Sequence, residues 1–251
     1  MTNDDGINAP GLKALVDAFS KIGEVYVAAP EGQCSSNSHH LTIKGKIRYE
    51  EREVDGAKKA YAIWGTPADC AHLGLLFLFK DQIDLVVSGI NAGANASTDI
   101  IYSGTVAAAR EAFIFHTPGM AVSLDSFKAE DYSLAAEYAV RIAEAYMSEE
   151  NKTDYFLNVN VPNLKKEEIK GIRVCDLSGH KIYQDTYSFV KEDGIDYIEI
   201  GIPSILYHGP KDDLRIDAVA VEQGYVAVSA LGNEHIDMSH AQDVAKIIEK
   251  L

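Results

Sequence analysis

The chain has 251 residues, 47% of them hydrophobic, and sets 38 acidic against 23 basic side chains for a net charge of −15. That hydrophobic content excludes a disordered chain, and the charge argues against a nucleic-acid groove or an anionic membrane surface as partner. The longest apolar run, seven residues from 73 to 79, falls far short of the ~20 that cross a bilayer. The acidic, polar start Met1-Thr-Asn-Asp-Asp-Gly6 has no signal-peptide character. Three cysteines, at 34, 70 and 175, are odd in number and lack a CxxC spacing. They are expected as reduced thiols of a cytoplasmic protein. The length suits one α/β domain, taken as residues 1–251.

In chain order, Pro10 opens a helix whose apolar positions Leu12, Leu15, Val16, Phe19 and Ile22 keep helical spacing until Gly23. Residues 24–29 are a β-branched and aromatic strand. Thr66-Pro-Ala-Asp69 supplies a cap, a first-turn proline and an acid three residues on, predicting a helix through 78. Residues 83–88 (IDLVVS) are expected as a buried strand, 104–115 as a helix and 119–124 as a strand. A helix over 131–147 and a strand over 155–161 follow. This alternation predicts a doubly wound, mostly parallel sheet, in which ligands bind beyond the carboxyl ends of the strands. Residues 182–190 and 195–202 alternate in period two around Glu192-Asp193-Gly194 and predict a hairpin arm at about 180–204. A late strand at 226–230 and a C-terminal helix at about 239–250 complete the chain. Only Met1 and Thr2 precede the first loop, so the strand expected before it is very short or its earlier residues lie upstream.

Four loops carry chemistry. Asp4 and Asp5 are adjacent carboxylates whose mutual repulsion a divalent cation would relieve; a solvated turn is the plainer alternative. Residues 33–40 (QCSSNSHH) offer hydroxyls, an amide and two imidazoles, in which ligands, proton donors and turn chemistry all remain open. Adjacent histidines without CxxC or HxxxH make a zinc site a poor fit. Residues 88–95 (SGINAGAN) join glycines to Asn91 and Asn95, matching neither a dinucleotide fingerprint nor a P-loop. Ser103, Gly104 and Thr105 open an alanine-rich helix, where free N–H groups favour a phosphate-sized anion; a plain Ser103 cap is the alternative. Set at one sheet edge, these loops supply acids, neutral oxygens and an anion cradle. Oxygen donors favour Mg²⁺, Mn²⁺ or Ca²⁺.

Thr2-Asn-Asp-Asp-Gly6, Ala9-Pro-Gly11, Ala29-Pro30 with its serine loop, Gly65-Thr-Pro-Ala-Asp69, Ser88-Gly-Ile-Asn91 and Tyr102-Ser-Gly-Thr105 together resemble the SurE (stationary-phase survival protein) family. The ordered motifs cover about residues 2–125; beyond 170 the resemblance rests on the hairpin and on 218–230 (AVAVEQGYVAVSA). It implies a Rossmann-like core with a C-terminal β-hairpin extension, and a metal-dependent nucleotidase acting on nucleoside 5′- and 3′-monophosphates. It further implies one divalent cation, Mg²⁺ or Mn²⁺, and a homodimer or homotetramer exchanging C-terminal segments. By matching position the ligands would be Asp4, Asp5, Ser35 and Asn91, with Ser35 chosen because it stands five places after Pro30. Asp4 and Asp5 would then be catalytic through the cation. Asn95, Ser103, Gly104 and Thr105 would hold phosphate, and a histidine at 39–40 or a water would protonate the leaving group. Two rivals differ in kind. An aspartyl-phosphate phosphatase expects its two acids separated by one residue, and a receiver-like Mg²⁺-binding module expects about half this length.

Overall fold

The computed structural model describes residues 1–179, 183–205 and 212–232. Helix α1 (Pro10–Phe19) begins on its proline and buries Gly11, Leu12, Leu15, Val16 and Phe19, the stripe that the spacing requires. Strand β1 (Val25–Pro30) is buried throughout. A short β2 (Tyr49–Arg52) pairs antiparallel with β3 (Ala57–Ile63), which lies parallel to β1. Helix α2 (Pro67–Leu73) starts at a reciprocal cap, Thr66 accepting from the Asp69 N–H and Asp69 accepting from the Thr66 N–H. It widens into a π-helical turn over Gly74–Leu78.

Strand β4 (Val86–Ala92) starts three residues later than expected and runs on through Gly89, Ile90 and Asn91, so that part of the predicted loop is strand. Then come α3 (Gly104–Ile114), β5 (Gly119–Asp125), α4 (Ser133–Met147), β6 (Phe156–Pro162) and β7 (Ile172–Val174). The arm is β8 (Tyr183–Glu192) paired antiparallel with β9 (Ile195–Ile205). Asp193 and Gly194 both adopt left-handed φ, 49° and 81°, as the tight hairpin turn demands. A short α5 (Asp217–Glu222) precedes β10 (Val226–Leu231). The C-terminal helix expected at 239–250, and Ile182 of the arm, lie outside the described residues.

The strands run in the orders β2-β3-β1 and β4-β5-β6-β10-β7. Residues 1–3 fill the slot between the two groups. The Ala28 N–H donates to the Met1 carbonyl at 3.0 Å, and Thr2 bridges Ser88 in parallel. Thr2 thus stands in the place of a first strand as a single parallel bridge. Alternation along β1 sends Val25 and Val27 into one core with Leu12, Leu15 and Tyr138, and Tyr26 and Ala28 into another with Cys70 and Phe79. Helices cover both faces, which makes the sheet doubly wound and mostly parallel. Each fully buried Leu or Val contributes about 1.5–3 kcal/mol of transfer free energy. The chain winds one way from β1 to β2 and the other way from β4 to β6. Residues 1–3, β1 and β4 thus end together at the switch point, where the Asp4-Asp5 turn and the serine loop follow the first two and Asn91 stands near the end of β4.

Candidate functional site

A cavity of about 530 Å³ opens at this switch point, lined by Asp4, Ser35, Ser36, residues 91–95, Asp99, Tyr102, Ser103, Phe127 and Tyr187. Asp4 is 4% exposed, and its Oδ1 accepts the Thr105 hydroxyl at 2.8 Å. Burial pushes its carboxyl up to about 6; the Thr105 hydrogen bond opposes the rise and the Asp5 charge adds to it. Asp5 is also raised by burial, less the help of the Ala92 N–H, which donates to it at 3.4 Å. It stands beside the cavity and is not among its lining residues. Gly104 has its bare Cα against Asp4: a Cβ there would lie 3.1 Å from the Asp4 Cβ and 2.9 Å from Pro67. The missing side chain lets the first turn of α3 close on the acid.

The serine loop is tied to the acidic turn by the Cys34 N–H, which donates to the Asp4 carbonyl at 2.7 Å. Ser36 and Ser38 hold left-handed φ of 58° and 54°, a conformation that a non-glycine residue keeps only where its surroundings fix it. The Asn91 amide nitrogen donates to the Gly93 carbonyl at 2.8 Å, which leaves its side-chain oxygen as the ligand-type atom. Ser103 caps α3, accepting from the Val106 N–H at 3.1 Å, and also lines the cavity. The cap and the anion-site readings of Ser103 are therefore compatible. Asp4, Ser35, Asn91, Asn95 and Ser103 come together as expected residues of one cavity.

Thr105 departs from expectation. It is fully buried and absent from the cavity wall, and its hydroxyl is committed to Asp4 because the first turn of α3 points it inward. Thr105→Val is therefore expected to push the Asp4 carboxyl above about 6, which carboxyl NMR titration would read. An unmoved Asp4 titration would return Thr105 to the phosphate. His39 and His40 also depart, since neither lines the cavity. His39 Nε2 and His72 Nδ1 each lie 2.7 Å from a different oxygen of buried Glu111. Burial alone would raise the Glu111 carboxyl, and the two imidazoles outweigh it and hold it below its ordinary value.

Two polar networks behind the wall escaped the sequence reading. Asn95 is gripped by β6: its N–H donates to Asn160 Oδ1 at 2.8 Å, and its carbonyl accepts from Asn160 at 2.9 Å and Asn158 at 2.8 Å. Its own amide donates to Ser123 Oγ at 2.9 Å. Asparagines two apart in an otherwise apolar strand were the available signal, because buried amides need partners. Asp217, at the start of α5, accepts from the Ser97 N–H at 2.7 Å and the Ser97 hydroxyl at 2.6 Å. Burial raises its carboxyl, and these bonds oppose the shift.

An α/β sheet with carboxylates, amides and hydroxyls gathered at its switch point defines a class of small-molecule site. The family profile described as Survival protein SurE matches residues 1–184. The chain is 41% identical over 256 residues to the protein named 5′-nucleotidase SurE in Clostridium beijerinckii, covering 100% of this chain and 98% of that one. It is 41% identical over 254 residues to the protein of the same name in Clostridium botulinum (strain Alaska E43 / Type E3), covering 99% and 98%. The crystal structure of the SurE protein from Aquifex aeolicus superposes with a TM-score of 0.82 at 34% identity, covering 98% of this chain and 97% of that one. The chain belongs to the SurE family.

Proposed function

We propose that the chain is a metal-dependent 5′-nucleotidase that hydrolyses nucleoside 5′- and 3′-monophosphates to nucleoside and phosphate. The observation that carries this reading is the make-up of the cavity wall. It has acids, amides and hydroxyls, and no lysine, arginine or histidine among the described residues. A phosphate dianion entering a cleft beside Asp4 meets repulsion that only an added cation removes. The donors suit a hard one: two carboxylates, a hydroxyl and an amide oxygen. No group of three or more His, Cys, Asp or Glu side chains among the described residues forms a rival metal cage.

Asp4, Asp5, Ser35 and Asn91 would hold the cation, Mg²⁺ or Mn²⁺. When bound, it would supply charge neutralisation and Lewis-acid activation of the ester and of water. Thr105 fixes the Asp4 carboxylate through its hydroxyl. Asn95 and Ser103, with the N–H groups at Gly104, then serve the phosphoryl oxygens from a helix N-terminus held close by the bare Gly104. We assign no proton transfer to His39 or His40. The test is phosphate release from a panel of nucleoside monophosphates with Mg²⁺ and Mn²⁺. Turnover should vanish after dialysis against EDTA and return with metal; full activity in EDTA overturns the metal reading.

The arm supports a homodimer or homotetramer. Tyr187 pairs with Ile200 and Phe189 with Ile198, so one face of the ribbon carries four exposed apolar side chains. A two-stranded ribbon is marginal alone in water. Deleting 184–199 is expected to give monomers or aggregates by light scattering. An intact protein that scatters as a monomer at micromolar concentration contradicts the assembly. No helix among the described residues is long and apolar enough to cross a membrane. The chain's three free cysteines support a cytoplasmic enzyme.

A further inference from the structure

The segment from Asn95 to Ser103 forms one side of the cavity, and both of its end residues line it. Each end is anchored. Asn95 is held by the amides of Asn158 and Asn160 on β6, and Ser103 caps α3. Between them lies a 3₁₀ turn, Ser97–Ile101, whose internal hydrogen bonding is too short to fix its own position. Ser97 opens this turn, is fully buried, and stands behind the cavity wall. Its φ of 53° is left-handed, a conformation that serine keeps only where its surroundings impose it.

Asp217 imposes it. One carboxylate oxygen accepts the Ser97 N–H at 2.7 Å and the other accepts the Ser97 hydroxyl at 2.6 Å. Two bonds from one residue to one carboxylate set orientation as well as place, and bonds to an ionised acceptor are about twice as strong as neutral ones. Asp217 is anchored in turn. Its N–H donates to the Asp176 carbonyl at 3.1 Å, and the Ala218 N–H donates to its Oδ1 at 2.8 Å. Ala218 packs against Ala94 and Ala96, on the chain leading into the turn. The Ser178 N–H, just before the arm, donates to the Ser97 hydroxyl oxygen at 3.2 Å. Neither Asp217 nor Ser178 lines the cavity.

We propose that Asp217 is a positioning residue of the phosphate wall: by gripping Ser97 it sets the turn between Asn95 and Ser103, and so the spacing of these two groups around the phosphoryl oxygens. This inference rests on the nucleotidase reading above. Asp217 touches no reacting atom and acts only through Ser97. The proposed cation ligands Asp4, Asp5, Ser35 and Asn91 lie outside the segment 95–103. Its grip therefore acts on phosphate and not on the metal.

The experiment compares Ser97→Gly, Asp217→Asn and the double variant with the unaltered protein. Ser20→Gly, which removes an exposed hydroxyl at the end of α1, is the control. Glycine adopts left-handed φ freely, so Ser97→Gly removes the hydroxyl without adding backbone strain. In each single variant kcat/KM for AMP is expected to fall about ten- to 100-fold, with weaker inhibition by inorganic phosphate. Mn²⁺ affinity, titrated without nucleotide, should stay unchanged, as should every reading in Ser20→Gly. The double variant should lose no more than the worse single one, because both cut the same link. A lowered Tm with unchanged kcat/KM and phosphate inhibition would make Asp217 a support of the fold alone and overturn the proposal. So would a matching loss of Mn²⁺ affinity, or losses that multiply in the double variant. If the unaltered protein releases no phosphate from AMP, the nucleotidase reading fails instead. Calorimetric binding of inorganic phosphate to the Mn²⁺-loaded protein then decides the role of Asp217: weakened in the variants if it holds, unchanged or absent throughout if it does not.

Discussion

Asp4→Asn is expected to lower turnover by several orders of magnitude and yet to raise the melting temperature of the metal-free protein at neutral pH. The first effect follows from replacing a carboxylate by a neutral amide, a poor ligand for a hard cation. The second follows from burial. The Asp4 carboxyl stands at about 6 in the fold against an ordinary 3.8. Between those values the native state binds more protons than the unfolded chain, so stability declines as pH rises through the window. Above about 6 the whole cost is present, on the order of 3 kcal/mol. Asparagine removes that cost while its Oδ1 can still accept from Thr105. The stabilisation should be several degrees at pH 7.5 and should vanish near pH 4, read by calorimetry in EDTA. Mn²⁺ should raise the melting temperature of the unaltered protein and not of the variant. An Asp4→Asn protein that melts lower at pH 7.5, or turns over normally, would remove Asp4 from the proposed role.

Asn160→Leu is expected to cut kcat/KM for AMP about 100-fold from a position behind the cavity wall. Its amide pairs with both backbone groups of Asn95, as a neighbouring strand would. Leucine keeps the branching and the number of heavy atoms, is bulkier, and makes no hydrogen bonds. The buried Asn95 N–H would lose its partner, a cost of about 1–3 kcal/mol to the fold. A displacement of about 1 Å in a positioning group is worth roughly 100-fold in rate. Thermal melting and steady-state kinetics should therefore both move. A lowered melting temperature with unchanged kcat/KM would make Asn160 a prop of the fold alone.

Local signals in the sequence were enough where one stretch of chain decides its own shape. Pro10 and the stripe from Leu12 to Phe19 specify α1, and Asp193-Gly194 specifies the hairpin turn, because spacing and φ preference act within a few residues. The serine loop and the 88–95 segment were legible because each lies at the carboxyl end of an apolar strand, β1 and β4. What escaped depends on partners far along the chain. The start of β4 moved inward because its pairing is set by residues 1–3 and by β5, and these outweigh the apolar run before Val86. Strand β2, with exposed and half-buried positions, has no apolar pattern to read. Thr105 reads as an anion ligand in its own loop; only the fold brings Asp4, 101 positions earlier, beneath its hydroxyl. His39, Glu111 and His72 lie on three elements, so no spacing links them.

The bond from Ser97 to Asp217 spans 120 residues. It gives the enzyme a timing property during its own synthesis. Every signature motif has been synthesised by about residue 125, yet the carboxylate that pairs with Ser97 arrives only when residue 217 is added. At about 5–20 residues per second that interval is roughly 5–18 s. A nascent chain thus carries all its recognisable landmarks well before the Ser97–Asp217 bond can form. Translation interrupted before residue 217 would leave a polypeptide with the landmarks and without this bond behind the cavity wall.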